Sequence, residues 1–269
     1  MAIYDCFQYF NEDHILDLRF NILNSKVDYF IISESTKTHQ GSKKKLNFNI
    51  NNFPKFKKKI IYLIADYKDE IFNDNKNHKG GESIIEQHQR NYIINGLKNA
   101  NDEDLVIISD SDEIPDLDKL SQINSKTKFT AFSQKMFMYK LNLQNIDESN
   151  WMGSRLVLKK NLVTPQKMRN IKFKNYPFWR FDKKNLQIIN GGWHFSFLHN
   201  PSDIAKKIKA YSHGEFNKEE FIDENKIAEK ISKNVDIFDR KFNLKKINID
   251  ETYPKFIREN VKYLDKWIL

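Results

Sequence analysis

Three acidic side chains lie within four positions of the sequence, in the segment SDSDEIP at 109–115. This segment directly follows the apolar run LVII, whose composition suits a central strand covered on both faces. In extended geometry the side chains of Asp110 and Asp112, two positions apart, point to the same side. Neighbouring carboxylates cost free energy through repulsion and desolvation unless a cation compensates them. Because Mg²⁺ and Mn²⁺ prefer oxygen ligands, the segment predicts a divalent-cation site on Asp110 and Asp112.

The position of this segment also indicates what the cation would bind. Open α/β sheets bind ligands at the carboxyl ends of their strands. A cation there could bridge both phosphates of a nucleoside diphosphate and offset charge on the leaving group, an effect worth several kcal/mol. The alternative is an acidic turn that caps a helix after Pro115, with Asp116 near its first turn. An EF-hand is disfavoured, because the required glycine and distal glutamate are absent.

The elements that must position this segment alternate between strands and helices. Their order favours an α/β fold with right-handed βαβ units and a mostly parallel central sheet flanked by helices. Apolar runs and helical spacings locate these elements in the sequence. The prediction comprises strands at 3–7, 27–33, 59–64 and 105–109, a β-rich section at 129–143, a late strand at 193–198, and helices at 12–24, 83–98 and from about 201.

Composition narrows the class of protein. A chain of 269 residues with 39% hydrophobic residues has the size and core of one α/β domain. The net charge of +9 suits an anionic partner, or reflects a lysine-rich genome. Cys6 is the only cysteine, which excludes an intrachain disulfide and a four-thiolate zinc site. The sequence has neither a signal-peptide pattern nor about 18 consecutive apolar residues, so we expect a cytoplasmic protein.

Five segments together carry a resemblance to a known family. In their order they resemble glycosyltransferase family 17, the family of the β-1,4-N-acetylglucosaminyltransferase activity that acts on N-glycans. The resemblance covers roughly positions 4 to 240. The segments are YDCFQYFNE at 4–12, ISESTKTHQG at 32–41, EQHQRN at 86–91, DLVIISDSDEIP at 104–115 and GGWHFSF at 191–197.

The resemblance implies a GT-A-like fold on a single Rossmann-type domain with a D-x-D metal site. It further implies inverting transfer from a UDP-sugar, with UDP-N-acetylglucosamine as donor, to a glycan or glycolipid acceptor. Residues 1–115 would form the nucleotide-sugar-binding half, 116–240 the acceptor-side half and 241–269 a C-terminal helical tail. Animal members carry a membrane anchor and stem in addition, so an N-glycan acceptor and a secretory location do not follow.

Two polar residues of the first half are candidate donor contacts. Glu34 ends the second predicted strand, where such sheets bind the nucleotide, and could contact uracil or ribose. Alternatively, its carboxylate caps local backbone amides. Arg90 is a candidate ligand of the diphosphate, because a guanidinium pairs well with phosphate oxygens. Its spacing from Glu86 also fits a local ion pair, and Ser83 with Glu86 fits a capping box.

A late histidine is the third predicted metal ligand. The resemblance favours His194, in the segment GGWH, and His213 is the competing choice. Glycines beside His194 would let the backbone approach a ligand closely. A histidine in a strand is also often a hydrogen-bonded core residue. Trp193 is a candidate for stacking on a sugar, with core packing as the alternative.

An inverting reaction needs a base that deprotonates the attacking acceptor hydroxyl. Glu113, close to the metal site, and Glu215, farther along the chain, are both candidates, and the sequence does not choose between them. A basic helix with Lys206, Lys207 and Lys209 suits an anionic acceptor, peripheral contact with a membrane, or simply a solvated face.

Two other functions compete with this interpretation. A nucleotidyltransferase also uses paired aspartates, but it would carry a Gly-Ser pair shortly before them, and Gly80-Gly81 lies too far upstream. A nucleic-acid-binding module would use the positive charge with stacking aromatics among clustered basic residues. The lysine clusters at 43–45 and 57–59 fit that pattern only weakly, so no nucleic-acid partner is expected.

Overall fold

One large mixed sheet organises the molecule. The computed structural model describes residues 1–67, 83–147, 150–174, 176, 179–180, 183–210 and 218–269. The strands of this sheet are β1 (Ile3–Tyr9), β2 (Tyr29–Ser35), β3 (Ile60–Ala65), β4 (Leu105–Ser109), β5 (Glu113–Pro115), β6 (Phe129–Met138), β7 (Leu143–Asn145), β8 (Trp151–Leu158), β9 (Leu186–Ser196) and β10 (Leu244–Lys246). Their order is β10-β7-β6-β8-β4-β1-β2-β3, with β9 paired to both β6 and β5.

Short helices lie beside this sheet. Among the described residues none is long and apolar enough to cross a membrane. The α-helices in the described part of the chain are α1 (Asp13–Leu23), α2 (Ile84–Tyr92), α3 (Pro165–Arg169), α4 (Pro201–Ala210), α5 (Glu219–Ile222), α6 (Glu224–Ser232) and α7 (Lys255–Glu259).

Four strands from the first half of the chain pair in parallel. Strand β1 pairs in parallel with β2 on one side and with β4 on the other, and β2 pairs in parallel with β3. The strand order therefore changes direction between β1 and β4, which makes this pair a topological switch point. A crevice opens there at the carboxyl ends of the strands, where open α/β sheets bind their ligands.

Alternate residues of the central strands pack into two hydrophobic clusters, one on each face of the sheet. Phe7 and Ile107 join one core cluster, to which α1 contributes its apolar side. Cys6 and Ile108 join a second cluster with Met168 of α3. Because every residue of β4 is buried, its end delivers the acidic segment 110–113 from a rigid central strand.

The structure confirms the predicted α/β class and refines it. The sheet is parallel from β3 to β4, but β8 pairs with β4 in antiparallel orientation and makes the second half mixed. Strand β9 is longer than the predicted late strand, because its first residues pair in parallel with β6. The segment 241–269, predicted as a helical tail, holds β10, which pairs with β7, the five-residue helix α7 and a short 3-10 helix at Asp265–Trp267.

The glycines before His194 serve the packing of two strands. Gly192 has a φ of 116°, in the left-handed region, and an added Cβ would lie 2.5 Å from the carbonyl oxygen of Ile114. Strand β5 lies directly against β9 at this position. In this structure the close neighbour of Gly192 is the backbone of β5, whereas the sequence predicted a ligand next to these glycines.

Candidate active site

A cavity of about 390 Å³ opens at the switch point of the sheet. Its walls come from the ends of β1, β4 and β9, from the loop after β2, and from α2 and α4. The side chains that bear on its chemistry include Glu12, Asp110, Asp112, Trp151, His194 and Lys207. The acidic segment and the late histidine, predicted separately from the sequence, therefore meet in one cavity.

Asp112 lines this cavity, and its ion-pair contacts with the described residues are long. Its Oδ1 lies 3.6 Å from Nε2 of His194, and its Oδ2 lies 3.6 Å from Nζ of Lys207. Burial raises the pKa of Asp112 even though both neighbours are basic. A carboxylate whose charge is only partly compensated in a buried place is suited to bind a further cation.

Asp110 is held by two arginines. Nη2 of Arg90 lies 3.3 Å from its Oδ1, and Nη2 of Arg169 lies 3.0 Å from its Oδ2. Burial opposes its ionisation, but Arg169 and Arg90 together hold the pKa of Asp110 well below its usual range. Both predicted metal ligands line the cavity, and Asp112 is the better placed of the two because guanidiniums already contact both oxygens of Asp110.

Arg90, the predicted diphosphate ligand, is buried behind Asp110. The same nitrogen that contacts Asp110 lies 2.8 Å from Oε1 of Glu86, which is the predicted local ion pair. Its Nη1 donates to Oε1 of Gln166 on α3. The Ser83 hydroxyl accepts from the Glu86 amide at the start of α2, as the capping-box pattern predicts. The role of Arg90 in this structure is therefore to support Asp110.

His194 belongs to β9, and its side chain lies beside Asp112. Its ring stacks on Trp151 with the centroids 4.8 Å apart and the planes inclined by 30°. Its Nδ1 is buried and has no hydrogen-bond partner among the residues described. A metal ion bound through Nε2, the nitrogen that faces Asp112, would leave the imidazole proton on Nδ1.

Asp112 and His194 fit a divalent cation that shares its coordination with a substrate. In the described part of the chain, no group of three or more histidine, cysteine and acidic side chains is arranged to hold a metal. Mg²⁺ sites, however, commonly combine one or two carboxylates with water and substrate phosphates. Two protein ligands that open into a cavity match that pattern. His213, the competing third ligand, lies outside the described residues.

Glu113, a predicted base, is enclosed. Its side chain is fully buried, and its Oε1 accepts a hydrogen bond of 2.8 Å from Nε1 of Trp151. Nη1 of Arg169 donates to its Oε2 at 2.7 Å, and the Asp110 amide donates to the same oxygen. These contacts make Glu113 an anchor of the acidic segment. Glu215, the other predicted base, lies outside the described residues.

Two further predicted ligands are committed elsewhere. The buried carboxylate of Glu34 accepts from the backbone amides of Asn47 and Phe48, from Nζ of Lys44 and from the Tyr62 hydroxyl. It therefore closes the loop after β2, in agreement with the alternative that it caps local amides.

Trp193 also faces away from the cavity. It is a member of the core, and its Nε1 donates to the Thr252 carbonyl. The tryptophan in the cavity wall is Trp151, which sequence reasoning missed.

A buried arginine fixes the backbone of the acidic segment. Arg19 of α1 is fully buried and forms a two-pronged ion pair with Asp5 of β1, with distances of 2.6 and 2.5 Å. Nη1 of Arg19 also donates to three backbone carbonyls of the acidic segment at 2.8 to 3.1 Å. Those carbonyls belong to Asp110, Ser111 and Glu113. Arg19 thereby sets the direction in which the two aspartates point.

Arg169 is the second organiser of the segment, and its removal has a definite expected effect. Arg169→Met leaves Glu113 and Asp110 without their main counter-charge, so the free energy of unfolding falls by about 3 kcal/mol. Arg169→Lys recovers only part of the loss, because an ammonium cannot reproduce the planar fork. Urea denaturation measures this effect. Lys167→Met, at an exposed position of the same helix, is the control, and equal stabilities of the two methionine variants would contradict the assignment.

A buried histidine beneath the cavity makes stability depend on pH. Burial, with Lys207 nearby, lowers the pKa of His199 from 6.5 to about 3. As the pH falls below 6.5 the unfolded chain takes up a proton that the native state refuses, so stability decreases by up to about 1.4 kcal/mol per pH unit. His199→Phe is expected to flatten the curve of unfolding free energy between pH 6.5 and 5. Parallel curves for variant and wild type would show that His199 is protonated in the native state.

The fold and the cavity suit a glycosyltransferase, and the comparisons with known proteins agree. The profile described as Glycosyltransferase family 17 matches residues 1–245. The chain belongs to glycosyltransferase family 17.

Two curated relatives resemble part of this chain. Over 140 residues it is 29% identical to the β-1,4-mannosyl-glycoprotein 4-β-N-acetylglucosaminyltransferase of Homo sapiens. The protein of the same name from Rattus norvegicus gives the same values. Each alignment covers 48% of this chain and 25% of the relative, so the chain matches about a quarter of the relatives' length.

Solved structures resemble the chain only distantly. HddC from Yersinia pseudotuberculosis gives a TM-score of 0.32 at 11% identity, covering 73% of this chain and 89% of HddC. Glucosyl-3-phosphoglycerate synthase from Mycobacterium tuberculosis, solved with Mn²⁺, UDP and phosphoglyceric acid, gives 0.33 at 11% identity, covering 96% and 91%.

Proposed function

We propose that this glycosyltransferase transfers a sugar from a UDP-sugar to a glycan or glycolipid acceptor, with inversion and with Mn²⁺ or Mg²⁺ as cofactor. N-acetylglucosamine is the proposed sugar, because the human and rat relatives are named for its transfer. The observation that carries the proposal is the pair of Asp112 and His194, 3.6 Å apart at the switch-point cavity.

The proposed donor lies across the carboxyl ends of the parallel strands. Residues 1–115 supply this side of the cavity through Phe10, Thr38 and Gln89. The diphosphate would lie next to Asp112 and His194. Negative charge that collects on it as the sugar bond breaks would be offset by the bound cation. Arg19 and Arg169 keep the acidic segment in place, so its geometry is set before the donor arrives.

The proposed acceptor lies against the opposite wall, which residues 116–240 supply. Phe197 and Phe238 line this wall in edge-to-face contact, with ring centroids 5.8 Å apart. Phe197 has a φ of 50°, a left-handed conformation that is costly for a bulky residue and often marks a functional position. Arg240 is fixed beside them by Asp236 at 2.7 Å. Aromatic faces with an oriented guanidinium suit a sugar ring and its hydroxyl groups.

A panel of nucleotide sugars tests this proposal. The protein is incubated with Mn²⁺, each donor and a mixture of glycan acceptors, and nucleoside diphosphate release is measured with and without EDTA. Manganese-dependent UDP release, highest with UDP-N-acetylglucosamine, is the expected result. Presenting the acceptor free or in lipid vesicles distinguishes a glycan from a glycolipid. Release of sugar 1-phosphate in place of UDP would indicate nucleotidyl transfer, and the absence of turnover with every donor would contradict the proposal.

A further inference from the structure

One lysine of the basic helix α4 turns into the cavity. Lys206 and Lys209 are exposed, whereas the side chain of Lys207 is only 18% exposed and lines the cavity. Its Nζ lies 3.2 Å from Oε1 of Glu12 and 3.6 Å from Oδ2 of Asp112. Lys207 therefore bridges two carboxylates at the switch point, that of Glu12 after β1 and that of Asp112 after β4.

The two carboxylates are not equivalent. Glu12 is fixed, because its Oε2 accepts from the backbone amides of Phe10 and Asn11 at 3.0 and 3.1 Å. Lys207, together with His199 and these amides, lowers the pKa of Glu12 to about 2 against the effect of burial. Asp112 has no comparable hydrogen bonds among the contacts of the described residues. Glu12 is thus a permanent anchor for Lys207, and Asp112 is the partner that can be given up.

We propose that Lys207 is a resident counter-ion of Asp112 that gives way to the divalent cation and then contacts the diphosphate of the donor. This inference rests on the proposed function. A lysine and a divalent ion on one carboxylate repel each other, and the flexible stem of lysine lets its ammonium move by a few ångströms. Glu12 keeps the ammonium at the edge of the cavity, close enough to reach phosphate oxygens. In this role Lys207 is a catalytic residue and Glu12 a positioning residue.

The proposal requires opposite effects on metal binding from two neutralising substitutions. Lys207→Met removes a positive charge that competes for Asp112, so Mn²⁺ should bind the nucleotide-free protein about 5-fold more tightly. Glu12→Gln releases Lys207 onto Asp112, so Mn²⁺ should bind about 3-fold more weakly. A purely structural role would shift both affinities in the same direction.

Binding of UDP tests the second part of the proposal. With Mn²⁺ present, Lys207→Met is expected to weaken UDP binding about 10-fold, because one charged contact to the diphosphate is lost. Lys207→Arg keeps the charge, and it should bind both Mn²⁺ and UDP within about 3-fold of wild type. Lys207→Met is therefore expected to strengthen Mn²⁺ binding and to weaken UDP binding. These opposite changes distinguish the contact with the donor from the effect on the metal.

The experiment titrates Mn²⁺, and then UDP with Mn²⁺, into the full chain by calorimetry, with thermal unfolding of every variant as a check of folding. Lys206→Met is the matched control, because Lys206 is exposed and, among the described residues, forms its ion pair with Asp203 at the surface of α4. Behaviour of Lys207→Met like this control, or shifts of Lys207→Met and Glu12→Gln in one direction, would overturn the inference.

The same titrations distinguish this inference from the proposed function. Wild-type protein that responds as described but releases no UDP from any UDP-sugar would refute the donor assignment and leave the counter-ion role of Lys207 standing. UDP release with Mn²⁺ affinities that are insensitive to Lys207 would refute the inference alone. Absence of Mn²⁺ binding by the wild type, with or without UDP, would overturn both.

Discussion

Replacing Arg19 by methionine is expected to lower the free energy of unfolding by about 3–5 kcal/mol. The substitution leaves the carboxylate of Asp5 buried without its counter-charge. It also removes the donor to three carbonyls of the acidic segment, and an unpaired buried polar group adds a cost of about 1–3 kcal/mol. Urea denaturation at neutral pH measures the loss. UDP release is expected to fall with it, because the segment that carries Asp112 loses its backbone support.

A double variant separates the two roles of Arg19. In Arg19→Met with Asp5→Leu the uncompensated charge is gone, so much of the stability should return. The three carbonyls stay unpaired, however, and UDP release should remain low. Recovery of both stability and activity in the double variant would show that Arg19 does not position the acidic segment. A single variant as stable as wild type would contradict the buried ion pair itself.

Asp112→Asn is expected to lower UDP release about 100- to 1000-fold while the protein stays as stable as wild type or becomes slightly more stable. The loss follows because the amide is a poor ligand for a divalent ion and the diphosphate charge is no longer offset. Stability is retained because burial raises the pKa of Asp112, so its ionised form is disfavoured in the folded state. The variant's gain in free energy of unfolding over wild type exists at pH 7 and should vanish below the usual carboxyl pKa of about 4, where the aspartate is neutral in both states.

Paired measurements of UDP release and urea denaturation test this expectation. Asp118→Asn is the matched control, because Asp118 lies six positions away and its side chain is 84% exposed in an ion pair with Lys26. The control should change neither quantity. An Asp112→Asn protein that has lost several kcal/mol of stability would place Asp112 in the framework of the fold. UDP release close to that of wild type would show that Asp112 does not hold the cation.

The elements that sequence predicts best are those with a local signal. The run LVIIS coincides with β4, and the helical spacing at 12–24 coincides closely with α1. Strand β9 was predicted to begin at 193 but begins at Leu186, because its first residues form a strand by pairing with β6. That pairing joins segments more than 50 positions apart, and no local pattern reports it. The antiparallel β8 escaped prediction for the same reason.

Site residues follow the same rule. Asp112 and His194 carry recognisable local segments, and the fold brings them together. Arg169 and Trp151 carry no such signal, because their roles arise from contacts with residues distant in the sequence. The sequence shows Lys207 only as one lysine of a basic helix, and its contact with Asp112 again joins distant segments.

Among the residues that the sequence analysis missed, Arg19 does have a recognisable sequence signal. It interrupts the apolar side of α1 between Leu18 and Phe20, and Asp5 interrupts an apolar strand. Two isolated opposite charges in buried elements indicate a buried ion pair, since a lone buried charge is costly.

Three other predicted site residues have side chains that make structural contacts instead. Glu34 lies near the end of β2 and Glu113 begins β5, but nearby donors satisfy the oxygens of both side chains. Trp193 alternates into the core because its neighbour His194 faces the cavity. Strand geometry allows only one of two successive side chains to face a given side, and the sequence alone did not show which one.

Calorimetric binding of UDP in Mn²⁺ and in EDTA, to wild type and to Asp112→Asn, tests the metal assignment most directly. Wild type is expected to bind UDP at least 10-fold more tightly with Mn²⁺ than with EDTA. The variant is expected to bind UDP equally weakly in both solutions. Equal affinities of the wild type in Mn²⁺ and EDTA would show that no cation joins the diphosphate to Asp112. A variant that keeps the full manganese effect would show that the cation is held elsewhere.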